Sequence, residues 1–164
     1  MKRLFLQLMI LLVLSACSAD ASSAASGIAK DESSNKKSAV TEAEMKLKIH
    51  VNDTTFTATL GENSSAKAFV ELLQKGDLTL EMKDYGNFEK VADLPVSLPR
   101  NDTQIDTDAG DIILYQGKSI TIYYDTNSWN FTRLGKIDNV NKKRLKEILG
   151  KGSATVTFSV KNAD

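Results

Sequence analysis

Residues 110–135, GDIILYQGKSITIYYDTNSWNFTRLG, constrain the fold more than any other part of this chain. They hold three of the four tyrosines and the single tryptophan. Ile112-Ile113-Leu114-Tyr115 and Ile120-Thr121-Ile122-Tyr123-Tyr124 are rich in β-branched and aromatic residues, which predicts two strands. Gln116-Gly117-Lys118-Ser119 between them is turn chemistry. A hairpin of this bulk is enough to fill a small barrel.

The flanking segments extend that pattern. Leu47, Ile49 and Val51 alternate with Lys46, Lys48 and His50, then Asn52-Asp53 turns the chain. Phe56, Ala58 and Leu60 point inward on the returning strand. Ala66, Phe69, Val70 and Leu73 recur at helical spacing, with Asn63 or Ser64 available as N-cap and Gly76 as the stop. A half-buried strand follows at Leu78, Leu80 and Met82. Residues 84–108 contain both prolines and lack clear periodicity, which predicts a long functional loop with a short strand at 103–105. After the central hairpin, Trp129, Phe131 and Arg133 share one face of a further strand. A second helix carries Leu145, Ile148 and Leu149 and ends at Gly150, and Val156, Phe158 and Val160 mark a closing strand. The expected class is mainly β: a closed antiparallel barrel with two short α-helices covering its ends.

The N-terminal residues give an address. Lys2 and Arg3 precede an apolar run at 4–14, of signal-peptide length and about half of what a bilayer-spanning helix needs. Leu14-Ser15-Ala16-Cys17 then resembles a bacterial lipobox, in which Cys17 is lipidated and becomes the mature N-terminus. An ordinary secretory signal with a chance cysteine is the alternative. Residues 18–44 are rich in Ser, Ala, Lys, Asp and Glu and read as a flexible tether spanning about 25–30 Å. The domain proper is expected over residues 45–164.

Charge and motifs exclude several function classes. Cys17 is the one cysteine, so the domain has neither a disulfide nor thiol chemistry. Losing Lys2 and Arg3 with the leader leaves two fewer basic than acidic residues, from 21 of each, a mature charge of −2. That balance carries no electrostatic footprint for nucleic acid. Walker A, dinucleotide, HExxH and CxxC motifs are missing, so no cofactor or metal is expected. Asp106 and Asp108 lack the spacing of a calcium loop. His50 falls on the polar face of its strand. Four Asn-x-Ser/Thr sequons, at Asn52, Asn63, Asn101 and Asn130, read as turn and cap residues in a bacterial chain.

Gly110-Asp111-Ile112-Ile113-Leu114-Tyr115-Gln116-Gly117, Ile120-Thr121-Ile122-Tyr123-Tyr124 and the SWNFTRLGKI run at 128–137 resemble the small bacterial cyclophilin-like domain family. Leu134-Gly135-Lys136-Ile137 resembles the F-G-K-V segment of cyclophilins, and Phe88-Glu89-Lys90-Val91 their F-H-R-V segment. The resemblance implies a cyclophilin-like barrel. It also implies that Lys90 stands where family isomerases carry a substrate-binding arginine. A lysine lacks that planar fork of donors. A flavodoxin-type redox protein is a partner that the resemblance implies.

What remains is a constellation of rings and cations: Tyr85, Phe88, Lys90, Arg100, Tyr115, Tyr123, Trp129 and Arg133. These are either barrel core or the walls of a pocket for a peptide segment or small ligand. The function expected is a lipid-anchored binding module, monomeric, on the extracytoplasmic face of a bacterial cell or outer membrane. It has no catalytic residues in this reading. The alternative is a peptidyl-prolyl cis-trans isomerase using Lys90 or Arg133. Lys142, Lys143, Arg144, Lys146 and Lys151 read as a solvated helix face.

Overall fold

A computed structural model of the chain describes residues 46–160. The leader, Cys17 and the tether at 18–44 lie outside the described residues. The elements run β1 (Lys46–Val51), β2 (Thr54–Leu60), α1 (Ser64–Leu73), β3 (Leu78–Tyr85), β4 (Glu89–Asp93), β5 (Thr103–Asp106), β6 (Asp111–Tyr115), β7 (Ser119–Tyr123), β8 (Ser128–Ile137), α2 (Lys142–Leu149) and β9 (Ala154–Val160).

Every strand pairing is antiparallel. The order β2-β1-β9-β3-β4-β7-β6-β8 closes on itself where β8 returns to β2, through Ala58 opposite Ile137 and Leu60 opposite Gly135. The expected barrel is therefore present, and closure leaves it no open edge. β5 stands outside the ring and pairs with the first half of β8, Ile105 opposite Trp129.

Period-2 alternation decides what fills the cylinder. Leu47, Ile49, Val51, Ile112, Leu114, Ile120, Ile122 and Phe158 are all fully buried in one core cluster. The tyrosines fill the barrel less than the sequence suggests. Tyr124 packs in that core, but Tyr123 belongs to a second cluster with Ile113 and Phe131, on the outer wall. β8 carries a bulge where it pairs with β6. Ile112 pairs with Gly135 and Ile113 with Arg133, so Leu134 is the extra residue and is fully buried.

The helices close opposite mouths. Asn63 caps α1 by accepting from the Ala66 N–H at 2.9 Å, and Phe69 meets Phe158 edge-on at 5.8 Å. Asn141 caps α2 in the same way through the Arg144 N–H at 2.9 Å. Gly150, at φ 64°, ends that helix. Leu145 and Leu149 dip into the barrel core. Asn52 sits at the turn of the first hairpin with φ 51°, and its side-chain amide donates to the Ile148 carbonyl at 3.2 Å, tying the turn to α2.

One expectation fails. The segment after residue 83 is not a long irregular loop. β3 continues to Tyr85, Gly86 and Asn87 turn the chain at φ 58° and 59°, and β4 runs straight back. The Phe88 N–H closes this turn on the Tyr85 carbonyl at 3.2 Å. Only residues 94–102 remain irregular before β5.

Candidate functional site

Strand alternation places Glu89 and Val91 of β4, and Thr121 and Tyr123 of β7, on the outer wall of the barrel. Ile113 and Tyr115 of β6 join them there. The ribbon of β5 and early β8 lies against this wall, with Ile105 and Phe131 packed on Ile113 and Tyr123. Between the wall, the ribbon and the Tyr85–Phe88 turn lies a groove of about 430 Å³.

Rings line it almost continuously. Tyr85 meets Phe88 edge-on at 5.9 Å, and Phe88 stacks on Tyr123 at 6.0 Å. Tyr123 tilts against Phe131 at 5.8 Å, and Phe131 meets Tyr115 at 6.2 Å. Trp129 stands at the rim, 60% exposed, and Tyr85 is 62% exposed. Exposed rings of this size beside a concave apolar surface are unusual for a side of a barrel that has no partner.

The one charged residue among the lining is Glu89. Its side chain is 7% exposed and lies directly across the strands from Tyr85 on one side and Tyr123 on the other. Burial raises its carboxyl above the ordinary range, and the facing Tyr123 and Thr121 hydroxyls only partly oppose that. Its Oε2 has no hydrogen-bond partner, and neither has the buried Thr121 Oγ1. Burial also pushes the Tyr123 phenol up, with Glu89 adding to the effect.

Of the ring-and-cation constellation, Tyr85, Phe88, Tyr115, Tyr123 and Trp129 line the groove together. The cations do not join them. Lys90 points the other way, into the barrel, and is fully buried. Its ammonium donates to the Asp84 carboxylate at 3.0 Å and to the Gly150 and Gly152 carbonyls at 3.0 and 2.7 Å. Three acceptors for three donors make this a satisfied structural plug. The Tyr124 hydroxyl also donates to Asp84, and together with Lys90 it holds that carboxyl below the usual range against partial desolvation. Arg100 is engaged by Asp102 at the surface, with Nε 2.9 Å from the carboxylate. Arg133 donates to Asp111 at 3.0 Å and borders a separate polar depression with Asn63 and Asn101.

The model of the cyclophilin-like family matches residues 49–159, nearly all of the described domain. The chain belongs to the cyclophilin-like family. A comparison with curated proteins gave no match. In this cyclophilin-like domain, Phe88, Glu89, Lys90 and Val91 occupy the start of β4 and the turn before it. The lysine offered as a counterpart to an isomerase arginine is thus turned away from the outer wall by strand alternation. His50, on β1, is exposed and pairs with the Thr55 hydroxyl at 3.0 Å. Among the described residues, no group of three or more His, Cys, Asp or Glu is placed to hold a metal ion.

Sequence reasoning missed Glu89, Val91, Ser119, Thr121, Asn127 and Phe131 as lining residues. Thr121 was within reach, because it alternates with Tyr123 on one strand. Glu89 and Val91 were not, because EKVAD at 89–93 carries no apolar alternation that marks a strand.

Proposed function

We propose that this cyclophilin-like domain is a binding module without catalysis, taking a peptide segment or small ligand in the aromatic groove of its outer wall. The observation that carries this reading is the open chain of rings from Tyr85 to Tyr115, with Trp129 free at the rim. Aromatic side chains lose little conformational entropy on binding and supply large contact areas. The isomerase alternative is disfavoured by Lys90, whose ammonium is occupied by three oxygens inside the barrel. The lipobox at Cys17 and the tether supply the setting: a lipid-anchored domain on the extracytoplasmic face of a bacterial membrane.

The test is a peptide-library binding screen followed by variants at the rim. Tyr85→Ala and Trp129→Ala should weaken any saturable ligand by about tenfold each, a loss of about 1.4 kcal/mol. The thermal midpoint should stay within about 2 °C of wild type, because both side chains are mostly exposed. Binding unchanged in both variants would remove the groove from the reading. A protease-coupled assay on Xaa-Pro peptides should give the uncatalysed rate, and acceleration would reinstate catalysis.

A further inference from the structure

We propose that the groove selects an organic cation, a guanidinium or alkylammonium group seated against the Tyr85, Phe88 and Tyr123 rings with Glu89 as its counter-ion. This rests on the groove being a binding site and names the class of group it takes. Three observations carry it.

The first is sign. Of the cations nearest the groove, Lys90 turns into the barrel, Arg133 goes to Asp111 and Lys118 lies toward Asp93, while Lys83, opposite Val91 on β3, stands outside the lining. Glu89 is the only charge lining the cavity, so an anionic ligand would meet repulsion there. The second is the unmet demand at Glu89. A buried carboxylate oxygen without a donor costs folding free energy, and a ligand N–H or N⁺–H removes that cost on arrival. The third is the arrangement of rings. Tyr85 and Tyr123 flank Glu89 on the adjacent strands, and Phe88 packs on both rings. Ring faces attract cations, and a carboxylate among them compensates the charge that the rings only partly offset. A neutral apolar ligand would use the rings but leave the Glu89 Oε2 buried without a donor.

The experiment uses the full chain and reads its single tryptophan, Trp129, which stands at the groove rim. The probes are Ac-Ala-Arg-Ala-NH₂, the same peptide with citrulline for arginine, and agmatine. Citrulline keeps the shape of the side chain and removes its charge. The arginine peptide or agmatine should shift Trp129 emission saturably, with the citrulline peptide about tenfold weaker or worse. Glu89→Gln should erase most of that difference while the apolar contribution persists. Tighter binding of the peptide than of agmatine would point to a polypeptide source for the cation, and the reverse to a free amine. Equal binding of arginine and citrulline peptides to the wild-type chain overturns the cation assignment and leaves the binding module standing. No response to either peptide or to agmatine, with neutral ligands from the library still bound, does the same. If no ligand of any charge perturbs Trp129, both readings fall. The arginine–citrulline comparison needs no variant, so a misfolded Glu89→Gln protein would not block the decision.

Discussion

At the scale of single residues, two neighbours on β4 solve the problem of a buried charge in opposite ways. Lys90 is sealed in the barrel with a full set of acceptors, so its burial is compensated. Glu89, one position earlier, faces the outer wall with an oxygen that nothing satisfies. Its raised carboxyl means that the ionised form is harder to hold in the folded than in the unfolded chain. The stability it contributes is fully present below its ordinary value of 4.5 and is lost as pH rises through the higher folded-state value. Glu89→Gln removes that loss. The variant should be more stable than wild type by about 1–2 kcal/mol at pH 7, with the difference shrinking toward zero at pH 4. Asp84, Asp102, Asp108, Asp125 and Asp138 shift the other way, and their contribution is lost as pH falls. They are common to both proteins and cancel in the difference. The Tyr123 phenol facing Glu89 is itself pushed up by burial and stays neutral across that window. Urea unfolding at the two pH values measures it. A difference that is constant with pH would mean Glu89 is paired or solvated after all.

At the scale of elements, the Tyr85–Glu89 connection sets the groove. Gly86 sits at φ 58°, which costs a residue with a Cβ about 1–2 kcal/mol. A Cβ there would also lie 2.2 Å from the Phe88 ring, so the ring must swing off Tyr123. Gly86→Ala should therefore lower stability by about 1–3 kcal/mol and alter the near-ultraviolet circular dichroism of the aromatic cluster. Loss of stability with an unchanged aromatic spectrum would show that Phe88 adapts without leaving its stack. This same element shows where sequence reading stops. The strands at 46–60 and the start of the first helix, with Asn63 or Ser64 as its cap, were legible, because alternation and cap chemistry are local. β4 was not, because EKVAD inverts the usual pattern. Its lysine faces inward and its first glutamate is buried against rings. The lysine's acceptors, Gly150 and Gly152, lie some sixty residues away in sequence, beyond any local pattern. The central hairpin was recognised as strands, yet its in-and-out assignment was not. Both faces of β6 are apolar, so Ile112 and Ile113 look alike until the ribbon of β5 and β8 is seen covering one side. The rings of the site could be named from sequence. That the cations would be parted from them could not, because each is held by an acid or carbonyl that only the folded chain brings near.

At the scale of the molecule, what makes these local choices cooperative is the seam where the barrel closes. β8 serves the whole fold: its first half carries the rim of the groove, its middle pairs with β6, and its last residues return to β2. Gly135 sits where that return is tightest. A Cβ added there would stand 2.4 Å from the Thr59 carbonyl oxygen and 3.2 Å from the Leu60 Cα. Both obstacles are backbone within a paired strand, so neither can rotate away as a side chain does. The Gly61 N–H on the Leu134 carbonyl at 2.8 Å and the Lys46–Thr59–Asp138 contacts hold the same seam from either side. Gly135→Ala must therefore push β8 off β2, and overpacking of this kind costs about 1–3 kcal/mol, occasionally more. Because closure is shared by every strand, the loss should appear as one cooperative shift of the unfolding midpoint, with the denaturant dependence preserved. Unfolding that separates into two transitions, or a loss below about 0.5 kcal/mol, would show that the cylinder tolerates an open seam. In that case the outer wall could no longer be treated as a rigid support for the groove.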